Sequence, residues 1–269
     1  MLLAIGGYAA IYGWRFRTAR REQRARLPSQ SGRIRGVSWG RALAFGAGLL
    51  TLLIALASPI DALGEDYLFS MHMTQHVLLG DIAPVLLLLG LSRVIMRPAT
   101  RRLAAVERLM GPFAHPATGI VLWLGLIYLW HVPTLYVAAI ESPALHALEH
   151  FSFFAAGIAV WWPLIQPVPM RRKLTGLWTF AYIGAAKAGL AALGLYLVWS
   201  TTVAYGYYET VPRVWGLSAI EDQNVGGAIM MVEQSLVLVV AFVVLFGRML
   251  RQAEDDDVRG ERLEEVAAA

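Results

Sequence analysis

Five of the six histidines in this sequence lie in or beside three apolar segments, with a spacing that suits a shared metal ion. His72 and His76, like His146 and His150, are four residues apart, so each pair places two imidazoles on one face of a helix. His131 ends the apolar segment between the two pairs. One such pair is weak support for a metal site, but two pairs at one predicted depth are stronger. The pattern therefore predicts a histidine-rich metal site.

The other donor atoms near these histidines bear on the choice of metal. The sequence has no cysteine, which excludes thiolate sites, and no clear carboxylate set accompanies the histidines, so copper, zinc or iron is expected. Met71 and Met73 flank His72, and their thioethers favour Cu(I). Met230 is a further candidate ligand, although methionine at helical spacing is more often packing. Two loop residues are candidates for orienting a histidine ring or attracting the cation: Asp61 and Asp222.

Histidine at a membrane interface is more often a hydrogen-bonded side chain than a metal ligand. That is the better interpretation of His131 considered alone. It suits the two pairs less well, because imidazoles buried together in apolar surroundings are costly unless they find partners. His115 precedes Pro116 and is interpreted as an ordinary loop or helix-start residue.

Three ionisable residues are predicted deeper in the apolar segments: Asp81, Lys187 and Glu233. Charged groups are costly there, so they are expected to pair with one another or to line a wet cavity. Asp81 follows His72 by nine residues, which places it roughly 180° away around a helix. We therefore predict an ion pair between Asp81 and Lys187. A proton or ion path is the less favoured alternative, because the sequence shows no internal repeat.

Composition places the whole chain in a membrane. Of its 269 residues 57% are hydrophobic and only 16% are charged, and the mean hydropathy is +0.55. The net charge of +4 does not predict nucleic-acid binding, because the arginines are distributed as membrane-topology signals. The lipid bilayer is the expected surrounding. Seven apolar segments can be drawn, near residues 1–14, 38–58, 67–91, 116–138, 144–165, 174–201 and 223–247.

The loops between these segments predict an orientation. Arginine and lysine are concentrated after the first, third and fifth segments, whereas the other connections are mainly acidic. We predict an all-α polytopic bundle of about seven transmembrane helices, with the N-terminus outside, the C-terminus cytoplasmic and the histidines near the outer face. Residues 1–250 would form one domain and residues 251–269 a charged cytoplasmic tail. The first segment is short, which suggests a partial or tilted helix or a start upstream of Met1; it lacks the features of a signal peptide.

Several runs of residues carry a resemblance to a known family. They are S-P-I-D-A-L-G at 58–64, M-H-M-T-Q-H-V-L-L-G-D-I-A-P at 71–84, W-H-V-P at 130–133, H-A-L-E-H at 146–150 and E-D-Q-N-V-G-G-A-I-M-M at 221–231. From about residue 58 to about residue 247 the chain resembles the CtaG family, multi-span assembly factors of bacterial caa-type cytochrome c oxidases. Val232 stands where that family commonly has tryptophan.

The resemblance implies a multi-pass protein of the bacterial plasma membrane that delivers copper to the oxidase. Its partners would be cytochrome c oxidase subunits and, as a source of copper, another copper chaperone. Three alternatives stay open. His76 and His150 could ligate a haem from two helices, or the protein could be a metal-free scaffold for oxidase subunits. An enzyme is least supported, because the sequence lacks a Ser-His-Asp order, a phosphate loop and paired catalytic carboxylates; a zinc-dependent hydrolase is the form an enzyme would take.

Overall fold

The computed structural model describes residues 2–26, 36–168 and 170–268, so Met1 and Ala269 lie outside it. The described residues contain helices and no β-strand, which confirms the all-α prediction. The helices are, in chain order, α1 (Leu2–Arg26), α2 (Trp39–Ala57), α3 (Pro59–Asp66), α4 (Phe69–Val77), α5 (Ala83–Gly90), α6 (Thr100–Met110), α7 (Pro116–Trp130), α8 (Pro133–Glu141), α9 (Pro143–Ile165), α10 (Leu177–Trp199), α11 (Tyr207–Thr210) and α12 (Ala219–Ala268).

Five helical stretches are long and apolar enough to cross a bilayer. They are α2, the stretch Phe69–Gly90 formed by α4 and α5, α9, α10 and the part Ala219–Glu261 of α12. A sixth is obtained if Thr100–Ala114 and Pro116–Trp130, which meet at an angle of 72°, form one broken span. α1 is long enough, with 25 residues, but its second half is rich in arginine. It is therefore not among the described helices that are apolar enough to cross a bilayer. The described residues thus contain five or six apolar helices that could span a membrane, as expected of a membrane protein; the seventh span and the orientation stay predictions.

The predicted third span is interrupted near its centre by a π-helical turn, Leu78–Ile82, between α4 and α5. Pro84 has no amide hydrogen, so it cannot donate to the carbonyl of Gly80 as an α-helix requires. The amide of Ala83 instead donates five residues back along the chain. The wider turn rotates the following side chains about the helix axis, and such turns are frequent at functional sites. Asp81 lies within it.

The predicted fourth span, 116–138, is wrong as a single helix. α7 ends at Trp130 and α8 begins at Pro133. A residue before proline avoids the helical region, and Val132 is extended, with φ −64° and ψ 123°. His131 therefore lies in a break between two helices and not on a continuous helical face.

Two glycines allow the helices around the histidines to approach closely. A Cβ atom at Gly157 of α9 would lie 2.8 Å from Pro84, and a Cβ atom at Gly64 of α3 would lie 2.9 Å from the backbone of His72. Small residues at helix contacts are how membrane helices come close, because lipid supplies no hydrophobic force between them. The short side chains therefore bring α3 and α9 against the segment that carries His72 and His76.

α12 combines a buried face with a lipid-facing one. It packs along α10 and against α4, while four apolar side chains point away from the bundle: Leu236, Val239, Val240 and Val243. Exposed valine and leucine in such a row are expected where lipid is the solvent. The helix continues without a break through residue 250 to Ala268, so the predicted charged tail begins inside a helix.

Candidate metal centre

The five predicted histidines come together in one buried cluster. His72 and His76 on α4 have ring centroids 4.2 Å apart, and His146 and His150 on α9 have centroids 4.0 Å apart. The two helices meet through His72 and His146, at 5.2 Å, and through His76 and His150, at 5.6 Å. His131 approaches His76 at 6.2 Å. Each of the five side chains is less than a tenth exposed.

A tighter set of four groups lies within this cluster. One donor atom from each of His72, His76, Glu149 and His150 can be chosen so that all four lie within 4.8 Å of one another. The Nε2 atoms of His72 and His76 are 2.7 Å apart, and the carboxylate of Glu149 lies 3.8 Å and 3.6 Å from them. Three imidazoles and one carboxylate are a common ligand set for zinc and copper. His146 and His131 lie beside this four-group set and not within it.

Several polar atoms of the cluster have no hydrogen-bond partner. These are Nδ1 of His72 and of His76, Nε2 of His146 and of His150, and both carboxylate oxygens of Glu149. Buried polar groups normally have partners, because an unsatisfied one costs about 1–3 kcal/mol. Five of these six atoms belong to the side chains of the four-group set, which therefore has donor atoms to offer a cation.

Asp222 does not take the role predicted for it. Its carboxylate accepts hydrogen bonds from the backbone amides of Phe69 at 2.6 Å and Ser70 at 3.1 Å. These amides belong to the first turn of α4, where four N–H groups lack partners within the helix. Asp222 is therefore a cap from α12 that holds the start of α4, and not a residue that orients a histidine ring.

The carboxylate that contacts a histidine ring from outside the four-group set is Glu65 of α3. It contacts Nδ1 of His146, and its side chain is 40% exposed. Asp61, predicted for this role, instead contacts the side-chain amide of Gln75, whose Nε2 also donates to the carbonyl of Ala55 at 2.8 Å. The sequence predicts a carboxylate that contacts a histidine ring, and in the structure Glu65 provides this contact in place of Asp61 of the same helix.

The predicted thioether ligands lie to one side of the centre. Met73 is fully buried, and its Sδ atom is 3.5 Å from Nε2 of His131. A cavity of about 30 Å³, roughly the space of one water molecule, lies between these two residues, His76 and Met230. Met71 is partly exposed and is not part of the four-group set. The structure therefore places sulfur next to His131 and oxygen next to the two histidine pairs.

Three tyrosines cover the cluster. Tyr136 lies 5.1 Å from the ring of His72 and 3.9 Å from the ring of Tyr205. The hydroxyls of Tyr136 and Tyr208 are 3.1 Å apart, and Tyr208 donates to the carbonyl of Gly64 at 2.8 Å. The three rings come from α8 and from the connection between α10 and α12, so they close one side of the centre over the α4 histidines.

Several carboxylates lie on the exposed side of the cluster, near the tyrosines that cover it. Tyr207, next to Tyr208, is outside the apolar helices. Partial burial, together with the carboxylates of Asp66, Glu65 and Glu141, raises the pKa of its hydroxyl above the ordinary value. The surface at Glu65 is therefore negatively charged and suits the approach of a cation.

The ionisable residues predicted deeper in the bundle also meet. The carboxylate of Asp81 contacts the ammonium of Lys187 and the indole nitrogen of Trp161, and all three side chains are buried. Gln234 approaches Asp81 at 3.4 Å and contacts Glu233, one of whose oxygens has no partner. The π-helical turn and α10 thus contribute the ion pair, and α12 adds a second acid beside it.

Sequence analysis missed two residues of this region, Glu149 and Glu65. Glu149 follows His146 by three residues and precedes His150, so all three share one face of α9. A carboxylate within an apolar segment, in the run H-A-L-E-H, was a usable signal. Glu65 offered no comparable signal, because acidic loop residues are common and only the contact between α3 and α9 distinguishes it from Asp61 or Asp66.

Comparison with known proteins gives these residues a family. The profile of the family described as cytochrome c oxidase caa3 assembly factor, CtaG, matches residues 10–252. The chain belongs to this family. The resemblance in the histidine-containing runs is therefore confirmed, and the family is one described as assembly factors for cytochrome c oxidase.

The curated relatives add no function of their own. An uncharacterized protein of Mycobacterium leprae is 26% identical over 250 residues, covering 84% of this chain and 37% of the relative. Uncharacterized proteins of Mycobacterium bovis and Mycobacterium tuberculosis are each 29% identical over 237 residues, covering 82% of this chain and 36% of the relative. The chain thus spans little more than a third of the length of these relatives. No solved structure matches it.

Proposed function

We propose that this protein binds one copper ion in the centre formed by His72, His76, Glu149 and His150 and supplies it to the oxidase during assembly. One observation carries the proposal: four buried donor groups, from two helices of an oxidase assembly factor, converge within 4.8 Å. Copper is cargo in this proposal and not a resident cofactor. The oxidase would receive it at the outer face of the plasma membrane, where the basic loops predict the cluster to lie.

The donor set suits temporary binding. Three imidazoles and a carboxylate are harder than the histidine and methionine set expected from the sequence, and they accept Cu(II) or zinc. The thioether of Met73, beside His131, offers a softer position for Cu(I). Because the chain has no cysteine, a partner that presents thiolates or more imidazoles can take copper by ligand exchange. The same reasoning allows another copper chaperone to be the source.

The geometry argues against the alternatives. A haem between His76 and His150 needs a cleft of at least a few hundred Å³, whereas the cavity beside His76 holds about 30 Å³. A zinc hydrolase needs an open ligand position that a substrate can reach, and here the four groups are buried beneath tyrosines. A metal-free scaffold would not account for four buried donor groups within 4.8 Å of one another.

Elemental analysis of the detergent-purified protein tests the proposal, after exposure to copper and then to zinc, each followed by dialysis. Stoichiometric copper is expected in the wild type and in His115→Asn. His115 lies outside the cluster, and asparagine retains an acceptor for the amide of Ala117 that this residue caps. Glu149→Gln and His76→Gln are expected to lose the copper.

Each other result has a defined meaning. Iron with a strong visible absorption band would establish the haem alternative. Zinc bound in preference to copper would show that the metal of this centre is zinc. A folded wild type that retains no metal would leave the scaffold as the function, and copper retained by both Glu149→Gln and His76→Gln would place the site elsewhere.

A further inference from the structure

A buried centre needs a route by which its cargo arrives and leaves. His72 and Glu149 have no exposed surface, and His76 and His150 are only 9% exposed. Tyr136 and Tyr208, joined through their hydroxyls and tied to Gly64, cover the α4 side of the centre. A metal ion that enters or leaves the centre therefore needs ligands on a side that these tyrosines do not cover.

The contact between Glu65 and His146 lies at such a side. Glu65 is 40% exposed, whereas the imidazole of His146 is 94% buried. The ring of His146 lies 4.0 Å from that of His150 and 5.2 Å from that of His72, which are both members of the four-group set. One pair of contacting side chains thus reaches from the surface to the buried ligands.

The tautomer that this contact favours leaves His146 ready to bind a cation. A neutral imidazole that donates a hydrogen bond from Nδ1 to a carboxylate carries its lone pair on Nε2. Nε2 of His146 is buried and has no hydrogen-bond partner. His146 can therefore accept a metal ion at Nε2 while Glu65 holds its other nitrogen.

We propose that Glu65 and His146 form the exchange position through which copper enters and leaves the buried centre. Glu65 first attracts the hydrated cation, and Nε2 of His146 then binds it. In the transfer step the bond from His146 to the ion breaks as bonds to His150 and His72 form, and delivery reverses the order. The ion keeps its oxidation state and no proton is transferred. This inference rests on the copper function proposed above and adds the residues that control the rate of exchange.

The negative charge of the surface around Glu65 favours the entry of a cation at this position. Asp66 adjoins Glu65 in the chain, and both lie, with Glu141, around Tyr207, so this surface presents several negative charges. Charges of one sign around an opening raise the local concentration of the opposite ion and its association rate. Asp66 is exposed on the same helix and has no contact with a histidine ring in the described structure, so Asp66→Asn removes one negative charge but keeps the contact between Glu65 and His146 and measures the effect of charge alone.

The test separates the rate of loading from the amount bound. Cu(I) held by bicinchoninate is mixed anaerobically with the wild type, Glu65→Gln, Glu65→Asp or Asp66→Asn, and the loss of absorbance of the chelator complex gives the loading rate. Glu65→Gln is expected to load about tenfold more slowly. Its final copper content should equal that of the wild type, which also shows that the variant is folded. Glu65→Asp should recover part of the rate, and Asp66→Asn should change it by less than about twofold.

The outcomes distinguish this inference from the function on which it rests. A wild type that binds no copper overturns the copper function and the exchange position with it. A wild type that binds copper, with Glu65→Gln loading at the same rate, overturns the exchange position alone. An equal slowing by Asp66→Asn would assign the effect to general surface charge. Loss of copper content in Glu65→Gln would make Glu65 part of the binding centre itself.

Discussion

Replacing Lys187 by methionine should severely destabilise the protein. Lys187 contacts Asp81, and both side chains are almost completely buried, at 3% and 1% exposure. Its ammonium also lies 5.2 Å from the ring of Trp161. Methionine fills a similar volume but leaves the carboxylate of Asp81 without its counter-charge.

The expected magnitude follows from this burial. Removing one partner of a buried ion pair costs about 3–5 kcal/mol, because the other charge stays behind unpaired. At 1.4 kcal/mol for each factor of ten, the equilibrium constant of unfolding should rise by roughly two to three and a half orders of magnitude. The nearby acid Glu233 does not relieve the loss, since it adds a second carboxylate to the same region.

The double variant Asp81→Asn, Lys187→Met should recover most of the lost stability. Both charges are then absent, and asparagine still offers an oxygen to the indole N–H of Trp161. Unfolding in mixed micelles of increasing SDS content, followed by tryptophan fluorescence, measures all the variants. Lys173→Met is the control, because Lys173 is exposed. The reasoning is refuted if Lys187→Met is as stable as Lys173→Met, or if the double variant is no more stable than Lys187→Met.

Three further predictions concern the metal centre and its supports. Copper retention after dialysis should fall from about pH 7 to about pH 5, because protons compete for neutral imidazoles; unchanged retention would exclude histidine ligands. Asp222→Ala should cost about 0.5–2 kcal/mol in the same micelle unfolding assay, since it removes the cap of α4; an unchanged stability would show that this cap contributes nothing. Gly157→Val should cost about 1–3 kcal/mol and lower copper content, because its side chain would separate α9 from the π-helical turn and α5, which continue the helix of His72 and His76. Wild-type copper content in that variant would show that the close contact is not needed.

The broad class and the family could be predicted from the sequence. Apolar segments of membrane length, few charges and the runs around His72 and His146 indicated a helical membrane protein of the CtaG family. Helix boundaries near prolines were less accurate. The break after Trp130 and the π-helical turn before Pro84 both arise where proline removes a hydrogen bond, and a hydropathy pattern does not register that loss.

By itself, the sequence determined which residues share a face of one helix. The spacing of His72 and His76, and of His146 and His150, orients each pair through the geometry of a single helix, which is local. Only the tertiary structure decided which faces meet. Glu149 joins the four-group set because α9 packs in a particular rotation against the segment formed by α4, the π-helical turn and α5, set in part by Gly157 at its contact with Pro84.

The same distinction explains the contacts that differ from those predicted. Asp222 caps a helix that begins 153 residues earlier in the chain, and Glu65 rather than Asp61 reaches His146 because of where α3 lies against α9. Contacts between residues far apart in sequence depend on the rotation and separation of whole helices. That information is spread over every packed residue of the bundle, so no short motif contains it.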